Sequence, residues 1–302
     1  MKERSDRLMK AIACVLVLLI FATSLLAARL FGMRSREKDE VHAVEQTAAA
    51  IREGICIPVI MYHSVYPETG TSEHIITPSQ LESDLAYLKD NGFTPIFCSD
   101  VIAYRKSSAK LPDKPVILTF DDGCLNFRTN ALPLLKKYDM CCTLSVVGRF
   151  AEYASEAAEP SPAYSYLSIN DLKTVLSSGR VELANHSYDM HALGDRRGST
   201  QMASESFEAY RRTLFNDVFA AQRLFRDELD REPAVYTYPY GLTCAAEPML
   251  LEMCGFDLLL GCEEKLNYVT VGDELITLGR FNRSPNFSTE EFFQKVLKGY
   301  GA

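Results

Sequence analysis

Apolar and polar residues divide the chain into three regions. Residues 11–28 form an uncharged run, and residues 32–54 are polar, charged and rich in alanine. From Ile55 onward, short β-rich apolar runs alternate with segments in which apolar residues recur every three or four positions, which is the pattern of strands and amphipathic helices. The pattern predicts a cytoplasmic N-terminus at 1–10, a transmembrane anchor at 11–31, a linker at 32–54 and a folded domain at 55–302.

The first apolar run is long enough to cross a membrane. A helix over residues 11–28 spans about 27 Å, close to the ~30 Å hydrocarbon core of a bilayer. Basic residues at 2–10 favour a cytoplasmic N-terminus, although Arg29 and the arginines after it weaken that bias. A cleaved signal peptide is the alternative, because residues 22–24 are small, but the apolar run continues beyond them. We expect a single-pass cell-membrane protein with its domain outside the cytoplasm, or a secreted protein if the segment is cleaved.

Within the folded domain, the alternation of elements predicts a parallel sheet covered by helices. The predicted strands are Ile57–Met61, Thr94–Phe97, Val116–Phe120, Thr143–Val147, Val181–Ala184, Val235–Tyr238, Leu258–Leu260 and Ile276–Phe281. The predicted helices lie at 78–91, 131–138, 169–177, 205–229, 247–253 and 288–298, with loops at 152–165 and 193–204. The size of the domain favours an α/β fold of the (β/α) barrel type. A doubly wound open sheet is the alternative, but no glycine-rich phosphate loop follows any of these strands.

Composition and charge narrow the classes of function. The chain is 47% hydrophobic and 24% charged, as in a globular protein and unlike a disordered one. Residues 1–38 hold 8 of the 32 basic and 3 of the 40 acidic residues, so the remainder has a net charge of −13. So acidic a domain does not attract nucleic acid by charge. We expect a neutral or cationic substrate, no nucleic acid and no organic cofactor.

The nine cysteines do not form a recognisable disulfide or zinc framework. Cys14 lies in the predicted membrane segment, which leaves eight, an even number that an oxidising compartment could pair. Most of the eight lie in apolar runs, such as Cys141–Cys142, and the sequence contains no C-x-x-C pair. We therefore expect buried free thiols and no structural zinc site.

Polar residues follow the ends of several predicted strands. These residues are His63, Asp121, Asp122, His186 and Tyr240. The carboxyl ends of barrel strands are where active sites are built, so this placement predicts a site there. Adjacent residues leaving a strand point in different directions, so one aspartate could bind a cation while the other faces a substrate. The alternative is a simple turn, because Asp122-Gly123 is a frequent turn dipeptide.

Two imidazoles and a strand-end carboxylate have the composition of a catalytic metal site. His186 and His191 are five residues apart, so a loop that curls back could aim both rings at one point. Together with an aspartate they form a His₂Asp set, which leaves an open coordination position. His63 is a candidate general acid, because histidine titrates near neutral pH. Surface or backbone-satisfied histidines are the alternatives.

The segment Tyr236–Gly241 is an aromatic strand end followed by a Pro/Gly turn. Its tyrosines, including Tyr238 and Tyr240, could form a groove wall for sugar rings. The backbone N–H of Tyr240 could donate to an oxyanion. The alternative is a packed strand end with no role in binding.

Taken together, the motifs resemble those of the polysaccharide deacetylase family, carbohydrate esterase family 4, also called the NodB homology domain. Thr119-Phe-Asp-Asp-Gly123 is similar to its first motif, His186-Ser-x-x-x-His191 to its second and Tyr238-Pro-Tyr-Gly241 to its third. The resemblance covers roughly 55–298. It implies a distorted (β/α) barrel, a divalent metal that is usually zinc, and removal of N-acetyl groups from GlcNAc-containing polymers.

The resemblance also implies the role of each site residue. Asp121 is the general base, while Asp122, His186 and His191 bind the metal. The implied reaction is attack of water on the amide carbonyl, with Asp121 taking the proton of the water. The Tyr240 N–H then donates to the oxyanion, and His63 protonates the departing amine.

Three features depart from the family pattern. First, Thr237 or Tyr238 stands where the third motif usually has an arginine. Second, the chain has no tryptophan, although the fourth motif is usually rich in Asp and Trp. Third, the late Leu-x-His motif is replaced by Leu278-Gly-Arg-Phe-Asn-Arg283. The subgroup that deacetylates poly-N-acetylglucosamine shows similar departures. Its early Met-Tyr-His motif matches Met61-Tyr62-His63 and supplies the acid, and Arg280 could replace the missing arginine.

Two other functions remain open on the sequence alone. The missing tryptophan and the missing arginine of the third motif would fit a catalytically silent, membrane-anchored glycan-binding module. A metal amidohydrolase acting on a small amide would use the same barrel chemistry. The intact Asp-Asp and His-His pairs favour an enzyme, and the predicted anchor favours a polymeric glycan substrate outside the cytoplasm.

Overall fold

The computed structural model describes residues 54–68, 72–272 and 274–301. The predicted N-terminus, the transmembrane anchor at 11–31 and nearly all of the linker lie outside the described residues. Within the described ranges, no helix is both long and apolar enough to cross a membrane.

Most strands of the folded domain begin within two residues of the start of a predicted strand. The predicted strand Ile57–Met61 is interrupted at Pro58, and the predicted strand Ile276–Phe281 is interrupted at residues 279–280. Three short strands were not predicted, namely Ser64–Val65, Ile75–Ile76 and Asn267–Val269. The strands are β1 (Ile55–Ile57), β2 (Val59–Tyr62), β3 (Ser64–Val65), β4 (Ile75–Ile76), β5 (Thr94–Pro95), β6 (Pro115–Phe120), β7 (Cys142–Val146), β8 (Val181–Asn185), β9 (Val235–Thr237), β10 (Leu258–Leu260), β11 (Asn267–Val269), β12 (Ile276–Leu278) and β13 (Phe281–Asn282).

The main sheet is parallel throughout. Its strand order is β12-β10-β9-β8-β7-β6-β2-β13, and β5 pairs with β6 beside this path. Two small sheets flank it, an antiparallel β1–β11 pair and a parallel β3–β4 pair. All six residues of β6 are buried, as expected for a parallel strand covered on both faces.

The sheet curls so that its two edge strands are consecutive along the chain. Only Gly279 and Arg280 separate β12, which pairs with β10, from β13, which pairs with β2. Gly279 fits here because a Cβ atom at this position would lie 2.3 Å from the carbonyl oxygen of Glu263. The predicted barrel-type α/β fold is therefore confirmed as a curled parallel sheet, and the doubly wound alternative is not needed.

Helices cover the outside of the sheet. They are α1 (Pro78–Asp90), α2 (Cys98–Ser107), α3 (Leu132–Tyr138), α4 (Gly148–Glu156), α5 (Ile169–Leu176), α6 (Phe207–Leu229), α7 (Glu247–Met253) and α8 (Thr289–Val296). A π-helical turn, Phe127–Ala131, leads into α3, and a 3₁₀ turn, Pro239–Gly241, follows β9.

Capping residues fix the starts of the helices that the sequence predicts. Thr77 and Gln80 form a reciprocal capping box at α1, with Pro78 at the first helical position. Ser288 and Glu291 form a second capping box at α8. Both predicted helix starts are confirmed.

Two helices were not predicted from the sequence. The predicted strand Thr94–Phe97 is wrong in its second half, because Phe97 is the N-cap of α2. The predicted loop at 152–165 is wrong over its first five residues, which complete α4.

A buried ion pair joins α1 to the end of the main sheet. The Arg283 guanidinium donates to both carboxylate oxygens of Asp84, at 2.7 and 3.1 Å. The hydroxyls of Thr289 and Tyr62 also donate to this carboxylate, at 2.7 and 3.3 Å. Because both charged side chains are fully buried, each depends on the other for stabilisation.

The eight cysteines of the described residues are all free, so the prediction of unpaired thiols is confirmed for them. Cys98 and Cys142 are buried, as expected. The other six are partly exposed, which corrects the expectation that the thiols are generally buried.

Candidate metal centre and active site

Three predicted ligands meet at the carboxyl ends of neighbouring strands. Asp122 follows β6, His186 follows β8, and His191 lies in the loop beyond His186. The Asp122 Oδ1 atom lies 3.5 Å from His186 Nε2 and 3.2 Å from His191 Nε2. Candidate ligand atoms of all three residues lie within 4.8 Å of one another. The structure therefore brings together the set that the sequence predicted.

The hydrogen bonds of this cluster fit a bound cation. His186 Nδ1 lies 2.8 Å from the carbonyl oxygen of Thr237, so Nδ1 carries the proton and Nε2 presents a lone pair. That lone pair faces Asp122 Oδ1, a buried oxygen that no well-aligned hydrogen bond reaches from the described residues. Two electron-rich atoms held this close need a cation or a proton between them. The donor set, two imidazole nitrogens and one carboxylate, suits zinc and related divalent ions.

The two aspartates point in different directions because the backbone turns between them. Asp122 has a φ of 68°, a left-handed conformation that Asp tolerates better than most residues, and Gly123 follows at 70°. Asp121 continues the direction of β6, because its N–H donates to the carbonyl of Tyr62 on β2 at 3.0 Å. As a result Asp122 faces the histidines while Asp121 faces the interior of the sheet.

Asp121 is paired with Arg280 inside the curled sheet. The Arg280 Nη1 atom donates to Asp121 Oδ1 at 2.8 Å and to Thr119 Oγ1 at 3.1 Å. Its Nε atom donates to the carbonyl of Gly261 at 2.8 Å, which fixes the guanidinium plane. Burial raises the pKa of the Asp121 carboxyl, but the nearby Arg280 guanidinium and His186 ring outweigh burial and hold that pKa below its usual range. Asp121 is therefore ionised and can accept a proton.

His63 directly follows β2 and lines the same cavity as the metal cluster. The register of β2 on β6 places Tyr62 beside Phe120, so the residues after them, His63 and Asp121, lie side by side. Burial lowers the pKa of His63 to about 4, although Asp121 and Asp122 act in the opposite direction. Its Nδ1 atom has no hydrogen-bond partner among the described residues, and its ring lies 4.5 Å from the ring of His74.

The two predicted substrate-binding tyrosines have different environments. Tyr240 is 42% exposed, and its ring lies 4.5 Å from the ring of His191. Its left-handed φ of 59° turns the chain at the 3₁₀ turn after β9. Tyr238 is buried to 2% exposure and packs edge-on against Tyr236, so it forms part of the cavity wall.

A cavity of about 420 Å³ joins these groups. Its lining includes the metal cluster, His63, Asp121, Tyr238 and Tyr240. The remaining lining residues are Met61, His74, Cys262, Glu264 and Asn282. Every predicted site residue except Arg280 borders this one cavity, and Arg280 reaches it through Asp121.

Asp217 was not predicted from the sequence, and it holds the loop between the two candidate ligand histidines, His186 and His191. The Asp217 carboxylate on α6 accepts hydrogen bonds from the backbone N–H groups of Tyr188 at 2.9 Å and Asp189 at 2.7 Å. Burial raises the pKa of Asp217 to about 6, while these backbone donors act against the rise. An acidic residue in a helix with many charges carries no sequence signal of this role.

The aromatic neighbours of His191 were not predicted from the sequence either. The ring of Phe150 lies edge-on to His191 at 5.6 Å and stacks on Tyr166 at 4.3 Å. Tyr166 directly follows the Ala-, Ser- and Pro-rich stretch 152–165, which the sequence indicates only as a loop. No periodicity in that stretch points to a site.

Comparison with known proteins agrees with the motifs. The sequence model described as polysaccharide deacetylase matches residues 108–257. A poly-β-1,6-N-acetyl-D-glucosamine N-deacetylase of Escherichia coli K12 is 24% identical over 258 residues, covering 79% of this chain and 38% of the relative. The enzyme of the same name from Staphylococcus aureus MRSA252 is 27% identical over 192 residues, covering 63% of this chain and 62% of the relative. The chain thus spans about two fifths of the E. coli relative.

Solved structures share the fold. The deacetylase PplD of Streptococcus pyogenes superposes with a TM-score of 0.65 at 20% identity, covering 80% of this chain and 99% of that one. IcaB from Ammonifex degensii gives a TM-score of 0.64 at 23% identity, covering 80% of this chain and 96% of that one. Residues 108–257, which carry most of the motifs that meet in this cavity, therefore form a domain of the polysaccharide deacetylase family.

Proposed function

We propose that this protein removes N-acetyl groups from GlcNAc-containing polysaccharide and releases acetate. The observation that carries the proposal is the meeting of an ionised, arginine-paired Asp121 with the Asp122–His186–His191 cluster in one cavity. A glycan-binding module without activity would gain nothing from holding a buried carboxylate ionised beside three metal-ligand side chains.

Asp122, His186 and His191 are the residues that would hold a divalent cation, for which we propose zinc. A cation at this site supplies Lewis-acid chemistry, polarising a carbonyl and lowering the pKa of a bound water. The carbonyl of Thr237 fixes the His186 tautomer so that Nε2 remains available as a ligand. The Phe150 and Tyr240 rings contact the His191 ring and limit its rotation.

Asp121 accepts the proton of the attacking water in this proposal. Its lowered pKa keeps it ionised at neutral pH, and the Arg280 guanidinium fixes its orientation. The general acid or base contribution of such a group is typically ~10²–10⁴-fold in rate. Arg280 is therefore a positioning residue, since it acts through Asp121.

His63 delivers a proton to the departing amine. The ring borders the cavity beside Asp121, and its unpartnered Nδ1 atom is free to bind a substrate group. Because its pKa is about 4, the ring is neutral in the free protein at pH 7, so it takes up the proton that Asp121 removes from the attacking water and passes that proton to the amine. The backbone N–H of Tyr240 is our candidate donor to the oxyanion, and the Tyr240 ring forms the groove wall.

For the substrate we propose poly-β-1,6-linked N-acetylglucosamine. Two relatives of this chain carry the name of a deacetylase of that polymer. The N-acetylated polymer is neutral and its deacetylated product is cationic, so neither is repelled by the acidic domain. We further propose that residues 11–31 anchor the protein in the cell membrane and that the domain acts outside the cytoplasm.

The test is acetate release from a panel of defined glycans by the purified protein. The panel contains β-1,6-linked N-acetylglucosamine oligomers, chitin-type oligomers, peptidoglycan fragments and a small amide. We expect release from the β-1,6-linked oligomers after zinc is added and none after chelation. Release from the small amide alone would favour the amidohydrolase alternative, and binding without release would favour a silent glycan-binding module.

A further inference from the structure

Aromatic rings continue outward from the metal centre in an unbroken series. The Tyr240 ring lies 4.5 Å from the His191 ring, and His191 lies 5.6 Å from Phe150. Phe150 in turn stacks on Tyr166 with centroids 4.3 Å apart and planes 25° from parallel. The first of these rings borders the cavity, whereas Phe150 and Tyr166 extend the aromatic surface beyond its lining.

Backbone hydrogen bonds hold Tyr166 at a fixed distance from the metal cluster. Cys124 and Tyr166 face each other in an antiparallel bridge. The N–H of Leu125 donates to the carbonyl of Ser165 at 2.8 Å, and the N–H of Leu167 donates to that of Gly123 at 2.7 Å. Because residue 123 directly follows the ligand Asp122, this loop is tied to the metal site.

The side chain of Asn126 ties the loop at a second point. Its Nδ2 atom donates to the carbonyl of Pro162 at 3.0 Å. Asn126 itself is buried, and its Oδ1 atom accepts from the N–H of Val65 at 3.0 Å. The loop that carries Tyr164 and Tyr166 is therefore a fixed part of the fold.

This loop presents aromatic surface to solvent. Tyr166 is half-buried, Phe150 is partly exposed, and Tyr164, two residues earlier, is 81% exposed. Burial raises the pKa of Tyr166 to about 12, and the Asp122 carboxylate adds to the rise. An exposed aromatic surface that adjoins a cavity is typical of a ligand site.

Sugar rings match this surface better than other ligands do. A pyranose ring has an apolar face of C–H groups and an edge of hydroxyls, while tyrosine combines an apolar ring with a polar hydroxyl. A lipid or protein contact would be expected to include aliphatic side chains. The side chains that define this surface, Phe150, Tyr164 and Tyr166, are all aromatic. Continuity with the cavity also places the occupant next to the reacting unit.

We propose that Phe150, Tyr164 and Tyr166 form an aromatic subsite for a second sugar ring of the same N-acetylated glycan. The inference rests on the proposed function and specifies that the enzyme recognises a chain of sugars. The unit whose amide is cleaved occupies the cavity, and its neighbour along the chain lies on the Phe150–Tyr166 surface. Tyr164 covers the outer side of that neighbour.

The test compares Tyr164→Ala and Tyr166→Ala with the native protein on two substrates. One substrate is a β-1,6-linked N-acetylglucosamine oligomer, and the other is a small acetyl ester that fills the cavity alone. We expect kcat/KM for the oligomer to fall about tenfold, as when one aromatic contact residue is truncated, with the ester rate unchanged. Tyr166→Phe keeps the ring and loses only the hydroxyl, so it should lose less of the oligomer rate than Tyr166→Ala. Phe219→Ala removes a 46% exposed aromatic on α6 and should change neither rate.

Several outcomes would overturn the subsite. Equal losses on oligomer and ester would give these tyrosines a structural role, and unchanged rates on both would remove them from binding. If the native protein releases no acetate from any oligomer, the proposed function fails. In that case calorimetric binding of the oligomer decides the subsite, with weaker binding by Tyr166→Ala supporting it and equal binding contradicting it. If Tyr164→Ala and Tyr166→Ala bind the glycan like the native protein but lose binding to lipid vesicles, the surface contacts a membrane and not a sugar.

Discussion

Arg280 donates a 2.8 Å hydrogen bond to Asp121 across 159 residues of sequence, and both side chains are buried in the curled sheet. The pairing exists because the segment between β12 and β13 crosses from one edge of the sheet to the other. An arginine inserted at this crossing reaches the strand end that carries Asp121. The fold thus supplies the cationic partner that the third motif lacks.

The first prediction concerns the pH dependence of activity in Arg280→Met. Arg280 is the strongest of the groups that lower the pKa of Asp121, and without it only the His186 and His63 rings oppose burial, so that pKa rises. A higher pKa protonates the base at higher pH, so the acid limb of the kcat/KM profile should move upward in pH. Arg280→Lys retains a positive charge and should show a smaller shift. A loss of activity that is the same at every pH would contradict this role.

The second prediction concerns His63→Ala. If His63 delivers the proton to the amine, turnover should fall by ~10²–10⁴-fold while metal content stays unchanged. His74→Ala removes the exposed ring that contacts His63 and should cost much less. Acetate release and metal analysis on the same samples check both expectations. Unchanged turnover in His63→Ala would return this residue to a structural role.

The third prediction concerns Asp217→Ala. Loss of the carboxylate frees the backbone between His186 and His191, so metal affinity should fall by about 10–100-fold. Competition titration with a chelating dye measures this affinity. Asp227→Ala removes an exposed carboxylate from the same helix and should leave metal affinity unchanged. Equal metal affinity in both variants would show that the loop does not need Asp217.

The fourth prediction concerns the buried ion pair. Asp84→Ala leaves the Arg283 charge buried without its partner, so the free energy of unfolding should fall by about 3–5 kcal/mol. Glu82 lies on the same helix as Asp84 and forms a solvent-accessible ion pair with Lys137. Glu82→Ala should therefore have little effect on the free energy of unfolding. Denaturant unfolding of both variants checks the difference. Similar stabilities would show that the Asp84–Arg283 pair contributes little.

Much of the site could be predicted because parallel strands leave a clear pattern in the sequence. A buried strand such as β6 reads as a continuous apolar run, and its end is marked by the first charged residue, Asp121. The strand-end positions of Asp122 and His186 followed from the same reasoning. Helix starts were predictable where a capping pair such as Thr77 and Gln80 is present.

Long-range contacts could not be predicted in the same way. Nothing local to Asp217 shows that its carboxylate accepts from backbone groups 28 and 29 residues earlier. The Phe150–Tyr166 stack depends on the long-range bridge between Cys124 and Tyr166 and on the backbone hydrogen bonds beside it. Helix α2 was missed because Thr94–Phe97 reads as one strand, although the chain turns into a helix after two strand residues.

The central claim is that Asp121 and Asp122 divide the chemistry between proton transfer and metal binding. The most direct measurement is metal content by mass spectrometry beside acetate release from a β-1,6-linked N-acetylglucosamine oligomer, for Asp121→Asn and Asp122→Asn. Asparagine keeps the shape of aspartate but loses its charge and its ability to accept a proton. We expect Asp121→Asn to keep the metal and lose activity, and Asp122→Asn to lose both. Retention of metal and turnover in both variants would contradict the account.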